Sequence, residues 1–165
     1  MLEEIKKERY YLKILVFSDS HGSYKNMKRA LLMHKNAEAV IYLGDGLTDL
    51  DEVREEMAGK AVWCVKGNND WLAQEPLMRI ETANGERIYM THGHAHGVKY
   101  GLSDIINVGR ENKVKIVCFG HTHVPFEKYE DGMYIFNPGS VTYSGTYGII
   151  EITQAGIMTN IGKLW

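Results

Sequence analysis

Continuously apolar runs rich in β-branched and aromatic residues recur along the chain: LKILVF (12–17), AVIYL (39–43), AVWCV (61–65) and KIVCF (115–119). Strands flanked on both faces have this pattern, since neither face meets water. Between the first three lie segments with apolar residues three and four apart, MKRALLMHK (27–35) and LTDLDEVREEM (47–57), and YGLSDIINVGREN (100–112) precedes the fourth. That spacing predicts helices with one buried stripe. Further along, Asn84-Gly85, Asp131-Gly132 and Ala155-Gly156 separate short alternating segments. Such pairs accept the positive backbone angles of a two-residue hairpin. The pattern predicts an α/β fold with mixed sheets, in one domain spanning 1–165.

Composition narrows the possibilities. The 165 residues are 44% hydrophobic and 24% charged, a balance that suits a globular domain, and no stretch has the ~20 apolar residues of a membrane helix. Met1 to Lys13 mixes Glu and Lys with scattered apolar residues and lacks a secretory signal's apolar stretch. It reads as a solvated face of a cytoplasmic protein, and no membrane partner is expected. A formal net charge of −2 gives no broad basic surface for the backbone of a nucleic acid. Cys64 and Cys118 sit inside apolar runs and read as small buried hydrophobes.

The informative polar residues follow the strands. KILVFS ends in Asp19-Ser20-His21-Gly22, VIYL in Gly44-Asp45-Gly46, and VWCVK in Gly67-Asn68-Asn69-Asp70. IYMT then ends in His92-Gly93-His94, and IVCF in Gly120-His121-Thr122-His123. The carboxyl edge of an open α/β sheet is where ligands bind, so these groups are expected to converge on one site. Oxygen donors mixed with imidazoles suit Mn, Fe, Co, Ni or Zn better than Ca or Mg. Asp19, His21, Asp45, Asn68, His92, His121 and His123 are more donors than one tetrahedral ion uses. Two divalent ions about 3.5–4 Å apart, manganese first among the choices, would use them with Asp45 as the bridge.

In type and order, Asp19-x-His21, Gly44-Asp45, Gly67-Asn68-x-Asp70, His92 and Gly120-His121-x-His123 resemble the motif series of the calcineurin-like metallophosphoesterases. Asn137-Pro138-Gly139-Ser140 is similar to a segment of that family's small prokaryotic phosphodiesterase branch. The resemblance implies a four-layer αββα sandwich of two mixed sheets flanked by helices. It also implies one metal on Asp19, His21, Asp45 and His123, and another on Asp45, Asn68, His92 and His121. The implied reaction is hydrolysis of a phosphodiester by water activated between the two ions.

One position departs from the broad family pattern, in which a histidine follows the metal-binding asparagine. Here Asn69 stands there, and an amide donates a hydrogen bond to phosphate but no proton near neutral pH. Asn69, Asp70 and His94 are carried as candidate catalytic residues: Asn69 for the phosphate, Asp70 for orienting its neighbours, and His94 as a replacement acid, though a polar loop also accounts for it. His96 is weighed alike, and His34 reads as a surface or packing residue. Trp71 suits either a wall of the substrate cleft or a contact in a homodimer or higher homo-oligomer. The competing readings are a phosphomonoesterase for a nucleotide or sugar phosphate, and a non-catalytic scaffold like the retromer subunit that this fold resembles. Retention of all seven ligand positions argues against the scaffold.

Overall fold

In the computed structural model, which describes residues 11–165, the apolar runs divide their side chains between separate cores. From β1 (Leu12–Phe17), Ile14 and Val16 enter a cluster with residues of both sheets, while Leu15 and Phe17 enter a second cluster beneath helices. That is why the run is continuous rather than alternating. The opening segment up to Tyr10 lies outside the described residues.

One sheet has the order β10-β9-β1-β2-β3 and the other β4-β5-β6-β8-β7. In the first, β1, β2 (Ala39–Tyr42) and β3 (Ala61–Cys64) run parallel. β9 (Thr146–Thr153) and β10 (Gly156–Lys163) extend it antiparallel from the other side of β1. In the second, β5 (Glu86–Thr91), β6 (Ile116–Cys118) and β8 (Met133–Asn137) run parallel. β4 (Met78–Ala83) and β7 (Phe126–Glu130) pair antiparallel at its edges. Ile14, Val16, Ile41, Ile88, Met90 and Phe136 fill the space between the sheets.

Helix α1 (Tyr24–Met33) and the short α2 (Asp49–Glu52) cover the outer face of the first sheet, where Met27, Ala30 and Leu31 pack on Leu15, Val40 and Tyr42. Helix α3 (Ser103–Glu111) covers the second with Ile105 against Tyr89, Val117 and Ile135. The result is the αββα sandwich, and each fully buried aliphatic or aromatic side chain contributes on the order of 1.5–3 kcal/mol. No helix among the described residues is long and apolar enough to cross a membrane.

Three expectations need correction. The run 61–65 does not form a strand buried on both faces: β3 is an edge strand, with Ala61 exposed and Val62, Trp63 and Cys64 half-buried. The segment 47–57 does not hold one helix but α2 followed by consecutive turns up to Gly59. Asp49 is drawn inward to accept hydrogen bonds from Ser20 Oγ and Gly22 N, and this tertiary pull outweighs helical propensity. The third hairpin turns one residue early: Gly156 already pairs with Thr153, and the Thr153 hydroxyl accepts from Ala155 N. The other two turns have positive φ at both central residues, Asn84-Gly85 and Asp131-Gly132, as a right-twisted two-residue hairpin requires.

Candidate metal centre

Because β1, β2 and β3 are parallel and β5, β6 and β8 are parallel, the polar segments leave the sheets at their carboxyl ends. Two hydrogen bonds show that these ends meet: His92 Nδ1 to the Leu43 carbonyl at 2.7 Å, and His121 N to Asp19 Oδ2 at 3.0 Å. Asp19, His21 and His123 form one group of potential donors, and Asp45, His92 and His121 another.

The backbone shows what this convergence costs. Eight non-glycine residues among those described have positive φ, and five are Asp19, His21, Asp45, His121 and His123. L-residues adopt that conformation at a cost of order 1–3 kcal/mol, and such strain concentrates at functional sites. Close backbone approach is equally tight: a Cβ on Gly67 would lie 2.1 Å from Asp45 Oδ1 and 2.6 Å from Asp45 N. Glycine alone fits there.

Asp19 Oδ2 accepts from Ser18 Oγ (2.6 Å) and from His121 N. Its other oxygen, Oδ1, is buried without a hydrogen-bond partner. It is approached by Nε2 of His123 at 3.2 Å, of His21 at 3.6 Å and of His92 at 3.8 Å. Asp45 Oδ2 lies 3.4 Å from His92 Nε2 and 3.8 Å from His21 Nε2, so it faces both groups. Imidazole nitrogens also face each other, His21 Nε2 and His123 Nε2 at 3.4 Å, and His121 Nδ1 and His92 Nε2 at 3.2 Å. Two nitrogens about 2.1 Å from one tetrahedral ion are roughly 3.4 Å apart, so the spacing and the orphaned carboxylate oxygen both fit cations. His92, donating Nδ1–H to Leu43, presents its Nε2 lone pair inward, the arrangement typical of a ligating histidine.

Titration behaviour follows from this crowding. Burial works to raise the Asp45 pKa, yet the His92 hydrogen bond and charge, with two bonds from Asn69, hold it well below the usual carboxylate range. Burial likewise opposes a charged His92, but Asp45, the charge of Asp19 and the Leu43 carbonyl raise its pKa above the ordinary value. His121 is pushed down to about 4 by burial, then by His92 and Lys99. It therefore offers a free lone pair at neutral pH.

Of the seven sequence-derived ligands, six converge. Asn68 is exposed and its side chain makes no hydrogen bond to a described residue. Its neighbour reaches the centre instead, with Asn69 N donating to Asp45 Oδ1 and Asn69 Nδ2 to Asp45 Oδ2, both at 2.8 Å. The Asp70 carboxylate accepts four backbone N–H groups, from Asp45, Gly46, Leu47 and Gly67, at 2.7–3.1 Å. It positions the Asp45 loop and has no oxygen left over for chemistry. His94 opens a 3-10 turn (His94–His96), with its ring centroid 5.5 Å from that of His92 and its buried Nδ1 unpartnered. His96 instead contacts the Tyr89 hydroxyl at 2.7 Å.

Tyr143 was missed as a site residue. Its ring stacks on His123 at a centroid distance of 4.9 Å and lies 5.5 Å from that of His21. The signal was there: Tyr143 follows Asn137-Pro138-Gly139-Ser140. Ser140 Oγ donates to the Asp19 carbonyl and accepts from Tyr143 N.

Two mixed sheets with potential metal donors at their joined carboxyl ends define the calcineurin-like metallophosphoesterase fold. The sequence profile of the calcineurin-like phosphoesterase superfamily domain matches residues 12–155, and this chain belongs to that family. The probable metallophosphoesterase YsnB of Bacillus subtilis is 30% identical over 131 residues, 79% of this chain and 75% of its own. Phosphodiesterase YfcE of Escherichia coli is 25% identical over 169 residues, covering 85% and 88%. Among solved structures, a predicted phosphoesterase of Streptococcus pneumoniae superposes with a TM-score of 0.78 at 25% identity, covering 93% and 90%. Vacuolar protein sorting 29 of Cryptosporidium parvum shares the fold at TM-score 0.73 and 15% identity, covering 93% and 97%.

Proposed function

We propose that this protein is a metal-dependent phosphodiesterase that hydrolyses a P–O bond, with two divalent ions, preferably manganese, as cofactors. Asp19, His21 and His123 would hold one ion and His92 and His121 the other, with Asp45 between them. The observation that carries this reading is the Asp45 carboxylate, whose Oδ2 lies within 3.8 Å of imidazole nitrogens from both groups. Bound there, such ions bring the pKa of water towards neutrality and neutralise phosphoryl oxygens. The name of the relative YfcE supports a diester.

The chain's own residues set the limits of the reaction. Asp70 fixes the loop that presents Asp45, and the Leu43 carbonyl fixes the tautomer of His92. Asn69 has amide hydrogens to offer a phosphoryl oxygen but no proton to give a leaving group, so esters of acidic alcohols are the better substrates. A cavity opens beside His21 and Asp45, and Arg54, the one cation lining it among the described residues, is already paired with Asp51. A singly charged diester suits that electrostatic balance better than a dianionic monoester. The unbridged Cys64 and Cys118 suit a reducing cytoplasm.

Metal-stripped protein titrated with Mn²⁺ is expected to hydrolyse bis(p-nitrophenyl) phosphate in step with the uptake of two ions. Asp45→Ala should lose activity by about 10³-fold or more. A protein that takes up no metal, even after reconstitution, is a scaffold and not this enzyme.

A further inference from the structure

The cavity beside the metal centre has a volume of about 860 Å³. Its lining includes His21, Asp45 and Asn69 of that centre together with the apolar Leu47, Leu50, Met57 and Val62. Trp71 and Leu72, in the loop joining β3 to β4, also line it, with relative exposures of 85% and 94%. An indole left in water beside a cavity that begins at the reactive centre lacks the partner its flat face would stack on. The volume lies within the ordinary range of small-molecule pockets, roughly 300–1,000 Å³.

Charge narrows the occupant. Among the described residues lining the cavity other than Asp45 and Asp70, Asp51 and Glu75 outnumber Arg54, and Arg54 is paired with Asp51. A second phosphate lodged there would face more carboxylates than cations. An uncharged planar group would lose nothing electrostatically and would bury apolar area against Leu50 and Met57. The flat ring and the single negative charge must therefore sit at opposite ends of the ligand.

We propose that this cavity is the specificity site for the organic part of the substrate, and that it selects phosphodiesters of one phosphate bearing a planar aromatic group, with Trp71 stacking on the ring. The ring is either a nucleobase or a simple aryl group, the shared chemistry being a flat π-face one phosphate away from the metals. This inference rests on the phosphodiesterase reading for the reaction, while binding of the ring does not require metal.

The test separates the two. Metal-stripped wild type, Trp71→Ala and Trp71→Phe are titrated with adenosine monophosphate, phenyl phosphate and inorganic phosphate by calorimetry, whose signal does not depend on the substituted indole. Saturable binding of either ring-bearing ligand but not of inorganic phosphate, weakened about tenfold in Trp71→Ala and largely restored in Trp71→Phe, supports the proposal; the tighter of the two identifies the ring. In the Mn²⁺-loaded protein, the kcat/KM advantage of an aryl or nucleoside methyl phosphodiester over dimethyl phosphate, each corrected for leaving-group pKa, should fall on the order of tenfold in Trp71→Ala, as for the loss of one base–aromatic stack. Trp71→Phe should restore most of it. Equal affinity in Trp71→Ala, or tighter binding of adenosine diphosphate than of the monophosphate, overturns the proposal. A change in oligomeric state in Trp71→Ala without any change in ligand binding also overturns it, because Trp71 is then a contact between copies. An absence of metal-dependent hydrolysis with ring binding intact would instead remove only the phosphodiesterase reading.

Discussion

Gly67 shows how little freedom single positions have around the metal centre. Its α-carbon lies so close to the Asp45 loop that an added methyl group would meet both the carboxylate and the backbone nitrogen of Asp45. Gly67→Ala is expected to cost about 1–3 kcal/mol of stability, the usual penalty of overpacking, and to impair metal uptake; thermal unfolding and metal analysis check both. Asn68 and Asn69 teach the opposite lesson, since adjacent residues of identical type share one motif and yet only Asn69 touches Asp45. Spacing could not tell them apart, because which amide faces inward depends on the path of the loop. The cysteines were legible in part: Cys118 is fully buried as its neighbours implied, whereas Cys64 lies on the edge strand and is half-buried. Burial pushes the Cys64 thiol up to about 11 and Cys118 still higher. Neither should react with an aromatic disulfide reagent at pH 8 in the folded protein, whereas both should in denaturant.

At the scale of the element, the β3–β4 loop is organised by one side chain. Asp70 gathers four backbone N–H groups from two loops, and bonds to a charged acceptor are worth roughly 1.5–3 kcal/mol each before compensation by water. Asp70→Ala should lower stability on the order of 2–3 kcal/mol and weaken metal binding, with calorimetric titration as the measurement; wild-type affinity in the variant would exclude the positioning role. Element identity was read well where a run was long and packed on both faces, as for β1, β2 and β6. It was read poorly over residues 47–57, where the apolar spacing is helical but Asp49 is committed to Ser20 and Gly22. Periodicity reports which residues turn inward, and it contains no information about a side chain's distant partners.

For the whole molecule, the consequence of bringing Asp45 and His92 together is a pH dependence that metal should reverse. The His92 pKa is raised in the fold, so its contribution to stability is complete below the unfolded value of about 6.5 and is lost as pH rises through the higher folded value. Asp45 is depressed, so its contribution is complete above about 3.9 and is lost as pH falls through the lower folded value. With EDTA present, the depressed His121, His94 and His34 act in the opposite sense and lose stability as pH falls below about 6.5, so the melting temperature should be highest near pH 6.5 and decline both towards pH 4 and towards pH 9. Bound Mn²⁺ displaces the His92 proton, so with saturating metal stability should rise from pH 6 to 8. An EDTA curve that climbs across that interval would show that the pair does not interact as the structure has it.

Sequence by itself determined the α/β class, two of the three hairpin turns and the residue types of the candidate metal centre, because each depends on local rules: apolar runs, turn residues with positive φ, and potential donors placed just after strands. It also pointed to one composite site through the repeated placement of polar groups at strand ends. Tertiary structure alone decided that β3 lies at an edge, that Asn69 and not Asn68 meets Asp45, that Asp70 is saturated by amides, and that Tyr143 covers His123. Each of these depends on which loops come within a few ångströms of one another after two sheets have packed face to face, and that distance is not written in the spacing of residues along one chain.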